Sequence, residues 1–329
     1  MRIALCALLL TALLVFPGVV PDTPGHLGSL VETALPWFGL GIPLLLAAAA
    51  VRRSLRGVAF ALVPTVAWAV LFGPGLVPSP EAAPGRTDFQ VLTLNVGGDR
   101  TAPHDVARDI LATGADVVAL EKVPNNAVKT YEQELHAAYP HHSTGDTLGL
   151  WSRYPLHGVE KLDLGGAWPH AIRAVARTPV GDTAVYAVRL PSVRVTVREG
   201  FTVQRRDASA ARLAERVARD PTRRVVVLGD LNGSLRDRGL APLTRGLRPA
   251  DGGAGHGLGF TWPAAFPVVR LDHVLVRGLA STGSTVLPDL GSDHRPVLTG
   301  LRAPDQTSAR GPKTPALRTF AEEIESGEL

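Results

Sequence analysis

The sequence predicts an α/β domain of mixed β-sheets covered by helices, preceded by an N-terminal helical membrane anchor. Three observations lead there. Between residues 1 and 78 only Arg2, Asp22, Glu32, Arg52, Arg53 and Arg56 carry charge. From Asp88 onward, short apolar runs alternate with amphipathic stretches. Asp, Asn and His recur where those runs end: VVVLGDLN over Val225–Asn232, RLDHV over Arg270–Val274 and GSDHRP over Gly291–Pro296. Polar groups gathered at strand ends are the layout of a phosphate-handling site.

The chain has 329 residues, more than one compact domain usually needs, so a domain with appended segments is expected. Formal net charge is +4 and charged residues make up 19%. No dense Lys/Arg block appears, which favours a solvated Arg-rich surface and argues against a nucleic-acid partner. Cys6 is the single cysteine, so no intramolecular disulfide can form.

Three apolar runs fill the anchor: Ile3–Val20, Leu35–Val51 and Gly57–Val77. A spanning helix needs about 20 apolar residues. The first and third runs meet this. The second is short and carries Pro36 and Pro43, so it is expected to tilt, kink or re-enter. The first also has the basic start and apolar core of a cleaved signal peptide. Val19-Val20-Pro21 is a poor cleavage site and two more runs follow, so a retained helix is expected. Arg52, Arg53 and Arg56 lie between runs two and three, whereas Pro21–Ala34 has no Lys or Arg. The basic loop should stay cytoplasmic. A multi-pass cell-membrane protein follows, with a cytoplasmic N-terminus and a large extracytoplasmic domain. Residues 1–78 form the anchor, with about three transmembrane helices, and 79–87 a Pro-containing linker.

Within the domain, residues 88–303, Phe89–Leu94 reads as a strand ending at Asn95. His104–Thr113 reads as a helix with Val106, Ile110 and Leu111 on one face and Gly114 as its stop. Asp116–Leu120 is a buried strand and Val128–Ala138 a second helix. Gly149–Ser152, Ala171–Ala176 and Thr183–Leu190 are strands. Arg205–Asp220 is a long helix leading into the aliphatic strand Arg224–Leu228. Val268–Val276 and Val297–Leu301 complete the set. Residues 304–329 are polar and Pro-containing, a composition that cannot bury enough surface to order.

Leu94-Asn95-Val96, Asp116–Val123, Ser152–Leu156, Gly229–Asn232, Leu271–Val274 and Ser292-Asp293-His294 occur in an order and spacing that resembles the endonuclease/exonuclease/phosphatase (DNase I-like) superfamily. The resemblance covers roughly Asp88–Arg302. The anchored layout, with Thr261-Trp262-Pro263 ahead of the Asp-His pair, is similar to bacterial membrane members of the VanJ type. It implies a four-layer sandwich of two mixed β-sheets flanked by helices. It also implies attack of water on a phosphorus ester with Mg²⁺ or Mn²⁺. By resemblance, Asn95, Glu121 and Asp293 would stand on the metal side. Asp230 would orient or deprotonate the water, Asn232 would donate to a phosphoryl oxygen, and His294, held by Asp272, would face the phosphate. Arg173 and Arg189 would contact the substrate phosphate.

Two positions depart from the superfamily pattern. In Ala119-Leu120-Glu121-Lys122-Val123, Lys122 stands where members carry the principal metal-binding Glu. An ammonium has three donors and no acceptor, so it cannot bind a cation. Glu121 is adjacent, but successive strand side chains face opposite ways, so it serves only if the chain turns there. Arg189 stands where many members carry His. Two readings follow. One is an anchored, metal-dependent phosphohydrolase acting on a phosphoester or pyrophosphate, with a lipid-linked substrate favoured by the anchor. The other is a catalytically impaired relative in which Lys122 pairs with Asp293 and the protein binds an anionic headgroup or a membrane partner. His141, His142 and His170 match no zinc spacing and read as exposed loop histidines. Arg205-Arg206 and Arg223-Arg224 read as solvated charges. Gly252–Gly257 reads as a surface loop near the site mouth.

Overall fold

A computed structural model describes residues 1–76, 86–97, 102–165, 171–251 and 257–304. His170, most of the Gly252–Gly257 stretch, most of the linker and nearly all of the C-terminal tail lie outside them.

The N-terminal segment holds α1 (Arg2–Val15), α2 (Leu27–Thr33), α3 (Gly41–Val51) and α4 (Leu55–Leu76). The domain begins β1 (Phe89–Asn95), α5 (Pro103–Thr113), β2 (Val117–Glu121), α6 (Val128–Leu135), β3 (His141–Gly145) and β4 (Leu148–Ser152). It continues β5 (Leu156–Leu162), β6 (Ala171–Thr178), β7 (Gly181–Arg189), β8 (Val195–Thr196), β9 (Gly200–Phe201) and α7 (Gln204–Ala218). It closes with β10 (Arg224–Asp230), α8 (Ala241–Gly246), β11 (Arg248–Pro249), β12 (Asp272–Arg277), β13 (Ala280–Val286) and β14 (Val297–Arg302).

Two six-stranded mixed sheets result, ordered β13-β14-β1-β2-β4-β3 and β11-β12-β10-β7-β6-β5. Each contains one parallel pair, β1 with β2 and β10 with β7. The alternation along each strand builds three apolar layers. Val91, Ala119, Ile172, Val185, Val226 and Leu228 meet between the sheets. Leu213 and Val217 of α7 cover the outer face of the second sheet through Tyr186, Val188 and Val227. Val106 and Ile110 of α5 and Tyr131 of α6 cover the first through Leu92, Leu94 and Trp151. Helix, sheet, sheet, helix is the four-layer sandwich expected. α5 shows the local logic: Pro103 sits at its start, and Gly114, at φ 72°, closes it in the left-handed region.

Some elements were not legible. β3, β5 and β13 run HHSTG, LHGVEKL and ASTGSTV, without a clean apolar alternation. His141 and His142 therefore lie on a strand rather than in the expected loop. The expected strand Val268–Val276 begins only at Asp272, because Val269 turns back to bridge Trp262.

α4 is 22 residues long and is the helix among those described that is long and apolar enough to cross a membrane. The first run falls short of its expected span. α1 ends at Val15 after 14 residues, where Phe16 leaves helical geometry ahead of Pro17. The second run, Leu35–Val51, meets the preceding α2 at a 69° bend. Leu44, Leu62, Val66 and Val70 are exposed.

The stretch around α2 is fastened to the domain. Arg238 grips Glu32 through Nη2 at 2.9 Å and Nε at 3.0 Å. Ser29 and Thr33 hydroxyls donate to Asp237 at 3.1 and 3.3 Å, and Trp37 donates to the Val268 carbonyl at 2.7 Å.

Leu228 is fully buried between the sheets. Its replacement by Ala should cost about 2–5 kcal/mol, read by denaturant unfolding of the full chain in detergent. A loss below about 1 kcal/mol would contradict the two-sheet core.

Candidate active site

Several strand ends converge. β1 and β2 finish opposite each other at Asn95 and Glu121. β10 and β7 finish at Asp230 and Arg189, and β12 begins at Asp272, opposite Asp230. Face-to-face packing of the sheets unites these ends, and the loop before β14 adds Ser292, Asp293 and His294. Gly229, at φ 146°, precedes Asp230, and a Cβ there would stand 1.8 Å from the Val188 carbonyl oxygen. Only glycine fits that approach.

The side chains form one buried network. Asn95 Nδ2 donates to Asp230 Oδ2 at 2.8 Å and lies 3.4 Å from His294 Nε2. The Asn232 amide N–H donates to Asp230 Oδ1 at 3.0 Å, and Asn232 Nδ2 donates to the Leu190 carbonyl at 2.8 Å. His294 Nδ1 lies 2.9 Å from Asp272 Oδ2, the contact that fixes the ring for work at Nε2. Thr261 Oγ1 accepts from the amides of Leu271 and Asp272 and so holds the start of β12. Ser292 Oγ lies 2.5 Å from the Asn95 carbonyl and accepts from the His294 amide at 3.1 Å, stitching two motifs together.

Burial makes this cluster electrostatically tense. It pushes Asp230 up to about 6, with Asp272 adding to the rise. It pushes Glu121 well above the carboxylate range, against the 2.7 Å hydrogen bond from Thr93, and Asp272 and Asp230 add to it. His294 moves upward: burial opposes its charge, but Asp272 and the other carboxylates outweigh that. Asp230, Asp272 and His294 bring ligand atoms within 4.8 Å of one another. Glu121 Oε2 and Asp272 Oδ1 are buried without a hydrogen-bond partner. Buried carboxyl oxygens left without a hydrogen-bond partner are what a hard cation satisfies, so this buried group could hold a metal ion.

The metal-side trio expected from the sequence is split. Glu121 turns inward and is fully buried. Asn95 Oδ1 accepts from the Gly97 amide at 3.0 Å, and Asp293 stands half exposed, 3.8 Å from Lys122 Nζ. Strand alternation alone would place only one of Glu121 and Lys122 at the site. Lys122 instead has φ 57°, which ends the strand and redirects its side chain across Gly97. A Cβ on Gly97 would stand 2.2 Å from Lys122 Cδ. Acid and amine therefore both reach the site, the acid in its interior and the amine over its rim.

Arg189 lies at the site beside Asp230, its Nε buried and without a hydrogen-bond partner. Arg173 does not. It projects from the opposite face of the second sheet, where Nε donates to Asp220 at 3.0 Å and Nη1 to the Gly158 carbonyl at 3.2 Å. Its neighbours Ile172 and Ala174 face the inter-sheet core, so alternation turns Arg173 away from the phosphate role expected for it.

Sequence reasoning missed Arg206, expected to be solvated. It is fully buried, donating to Asp237 at 2.8 Å and to the Asn232 carbonyl at 3.3 Å. Asn232, at φ 49°, is in left-handed geometry, and this bond holds the loop that carries it. The signal was present: Arg206, Ala210, Leu213 and Val217 share one helical face.

Matches to known proteins agree with this geometry. The family model described as Endonuclease/Exonuclease/phosphatase family matches residues 92–294. An endonuclease/exonuclease/phosphatase from Beutenbergia cavernae is 21% identical with a TM-score of 0.54, covering 66% of this chain and 72% of its own. One from Bacteroides vulgatus is 16% identical with a TM-score of 0.52, covering 67% and 100%. A humanized D. rerio TDP2 is 18% identical with a TM-score of 0.54, covering 65% and 99%. No curated protein matches the chain.

The place of Arg173 is testable through pH. Asp220 is held below the usual carboxylate range: burial opposes this, but hydrogen bonds from Arg173, Tyr186 and Thr222 outweigh it. Its depressed folded pKa adds stability that is fully present above the unfolded pKa, about 3.9, and is lost as pH falls through the folded value. Arg173→Ala should therefore cost about 3 kcal/mol at pH 7 and progressively less below pH 4, measured by denaturant titration. Equal cost at both pH values would place Asp220 in another role.

Proposed function

We propose, because the chain belongs to the endonuclease/exonuclease/phosphatase family, that it is a membrane-anchored, extracytoplasmic phosphohydrolase acting on a lipid-linked phosphoester or pyrophosphate. The family consists of phosphoester hydrolases, and that much is the premise. The observation that carries the catalytic reading is the convergence of Asn95, Asp230, Asn232, Asp272 and His294 in one buried network at the strand ends.

Asp230, oriented by Asn95 and by the Asn232 amide, takes a proton from the attacking water. His294, its Nδ1 tied to Asp272, directs Nε2 at the phosphoryl group and offers a proton to a developing oxyanion. Arg189 offers donors to a second phosphoryl oxygen. Glu121 and Asp272, whose Oε2 and Oδ1 are buried without hydrogen-bond partners, would hold a divalent cation such as Mg²⁺ or Mn²⁺ beside Asp230. When bound, such an ion neutralises phosphoryl charge and lowers the pKa of water.

The anchor and its orientation rest on the apolar α4, the basic residues Arg52, Arg53 and Arg56, and the absence of Lys and Arg from Pro21–Ala34. One further contact supports them. Glu32, in that Lys- and Arg-free loop, pairs with Arg238 of the domain, so loop and domain share a side of the bilayer in this reading. A bilayer and a phosphate-bearing lipid are the partners proposed, and nucleic acid is not among them.

Purified full-length protein should hydrolyse bis(p-nitrophenyl) phosphate with added Mn²⁺. Asp230→Ala should lower kcat by about 10²–10⁴-fold. Retained turnover in that variant would exclude Asp230 as the base.

The Lys122–Asp293 pair favours a second reading, a non-catalytic binder of anionic headgroups. There Lys122→Glu should create Mn²⁺ binding, seen by calorimetry, that the parent lacks. Millimolar or tighter Mn²⁺ binding by the parent chain would exclude this second reading.

A further inference from the structure

Away from the Asp–Asp–His cluster, the described residues enclose a cavity of about 370 Å³ between the N-terminal segment and the domain. That volume lies in the range of small-molecule sites, roughly 300–1,000 Å³. One wall is the end of α4, with Leu71 and Phe72, together with Pro36. The facing wall is Leu258 and Phe260, from the hairpin that runs on to Thr261 and Asp272. The two walls are joined: Trp37 stacks on Phe260 with ring centroids 5.7 Å apart, and Leu258 packs against the cluster of Leu14, Leu35 and Phe72.

Arg236 stands at this cavity, exposed, with its guanidinium 4.7 Å over the Phe72 ring and Nη2 donating to the Leu71 carbonyl at 2.9 Å. Among the described residues it has no carboxylate partner. The other arginine of the cavity, Arg270, is matched by Asp251 at 2.7 Å. The cavity is therefore apolar on both walls and carries one unmatched cation that the protein lodges against an aromatic ring.

We propose that this cavity binds one anionic glycerophospholipid from the surrounding leaflet, with its phosphate on Arg236 and the start of an acyl chain between Phe72 and Leu258. The proposal rests on the reading of α4 as a membrane anchor. Two features choose this occupant. The cavity is walled by Leu71 and Phe72 at the end of α4, the helix read as spanning, so an acyl chain beside that end of the helix meets the cavity. The guanidinium, with no carboxylate on it, selects a net negative headgroup over a zwitterionic one by offering charge-assisted donors to its phosphate. A free phosphate ion would leave the apolar walls unused.

The occupant would also bear on the catalytic site. The segment forming one wall runs on to Thr261, whose Oγ1 accepts from the Asp272 amide, and then to Ala264, whose amide donates to the Asp293 carbonyl at 2.8 Å. The lipid thus buttresses the hairpin that holds Asp272 in place.

The test uses full-length protein reconstituted in nanodiscs of equal phosphatidylglycerol and phosphatidylcholine, released into detergent and weighed by native mass spectrometry. One phosphatidylglycerol should be retained per chain. Arg236→Gln should reduce that retention about tenfold, while Arg245→Gln, on α8 away from the cavity, should leave it unchanged. Equal retention of both lipids, unchanged retention in Arg236→Gln, or displacement of the lipid by 10 mM inorganic phosphate would each overturn the proposal. Release of the chain from membranes by alkaline carbonate would overturn the anchor reading and this proposal together. Stable anchoring without lipid selectivity would overturn this proposal alone.

Discussion

Three carboxyl groups and one imidazole are forced into the same dry space where the two sheets meet, and much of the domain is arranged around that enforced crowding. Glu121, Asp230 and Asp272 are all essentially buried, with His294 among them. Left uncompensated, such a group of acids could not stay ionised. The chain compensates with fixed donors: the Thr93 hydroxyl, the Asn95 side-chain amide and the Asn232 backbone amide. The compensation is incomplete, since two carboxylate oxygens remain without partners. A site held this far from electrostatic ease is suited to accept a cation, a proton or a phosphoryl group.

The same network extends outward through one arginine. Arg206 is buried beneath the loop that carries Asn232 and pairs with the equally buried Asp237. Asp237 in turn receives the hydroxyls of Ser29 and Thr33 from α2. The apolar N-terminal segment is thus wired to the loop that carries Asn232 through hydrogen bonds to Asp237. Breaking a buried pair of this kind leaves an uncompensated charge, so the segment and the loop are energetically linked. The N-terminal segment is thereby part of the support of the site.

The exchange of Glu for Lys at position 122 is accommodated by backbone geometry. A lysine in left-handed conformation is strained, and here it closes β2 and swings the ammonium across Gly97 toward Asp293. Glu121, one residue earlier, stays in the strand and faces the interior. The outer position carries a fixed positive charge and the inner one an excess of acids. The buried group that could hold a cation, Asp230, Asp272 and His294, lies inward of this rim.

The three spanning helices expected reduce to one of full length, and the pairing of Asp272 with His294 was implied by the family resemblance; local pattern was enough for the mixed α/β class, the apolar α4 and the cores of β1, β2 and β10. Those features are carried by apolar runs and strand-end polar residues that are contiguous in the chain. The polar strands β3, β5 and β13 were not legible, since their residues become strands only by pairing with neighbours far along the chain. Strand periodicity could also have shown that Arg173 faces away from Ile172 and Ala174, but which face holds the site depends on how two sheets stack. Arg206 was read as solvated because its partner, Asp237, lies across the fold. The orientation of Glu121 and Lys122 turned on one φ angle. Sequence alone determined which residues sit at strand ends, because that follows from short-range periodicity. Tertiary structure decided which of those ends meet and which charges share a dry space, because burial and Coulomb energy depend on distance in space.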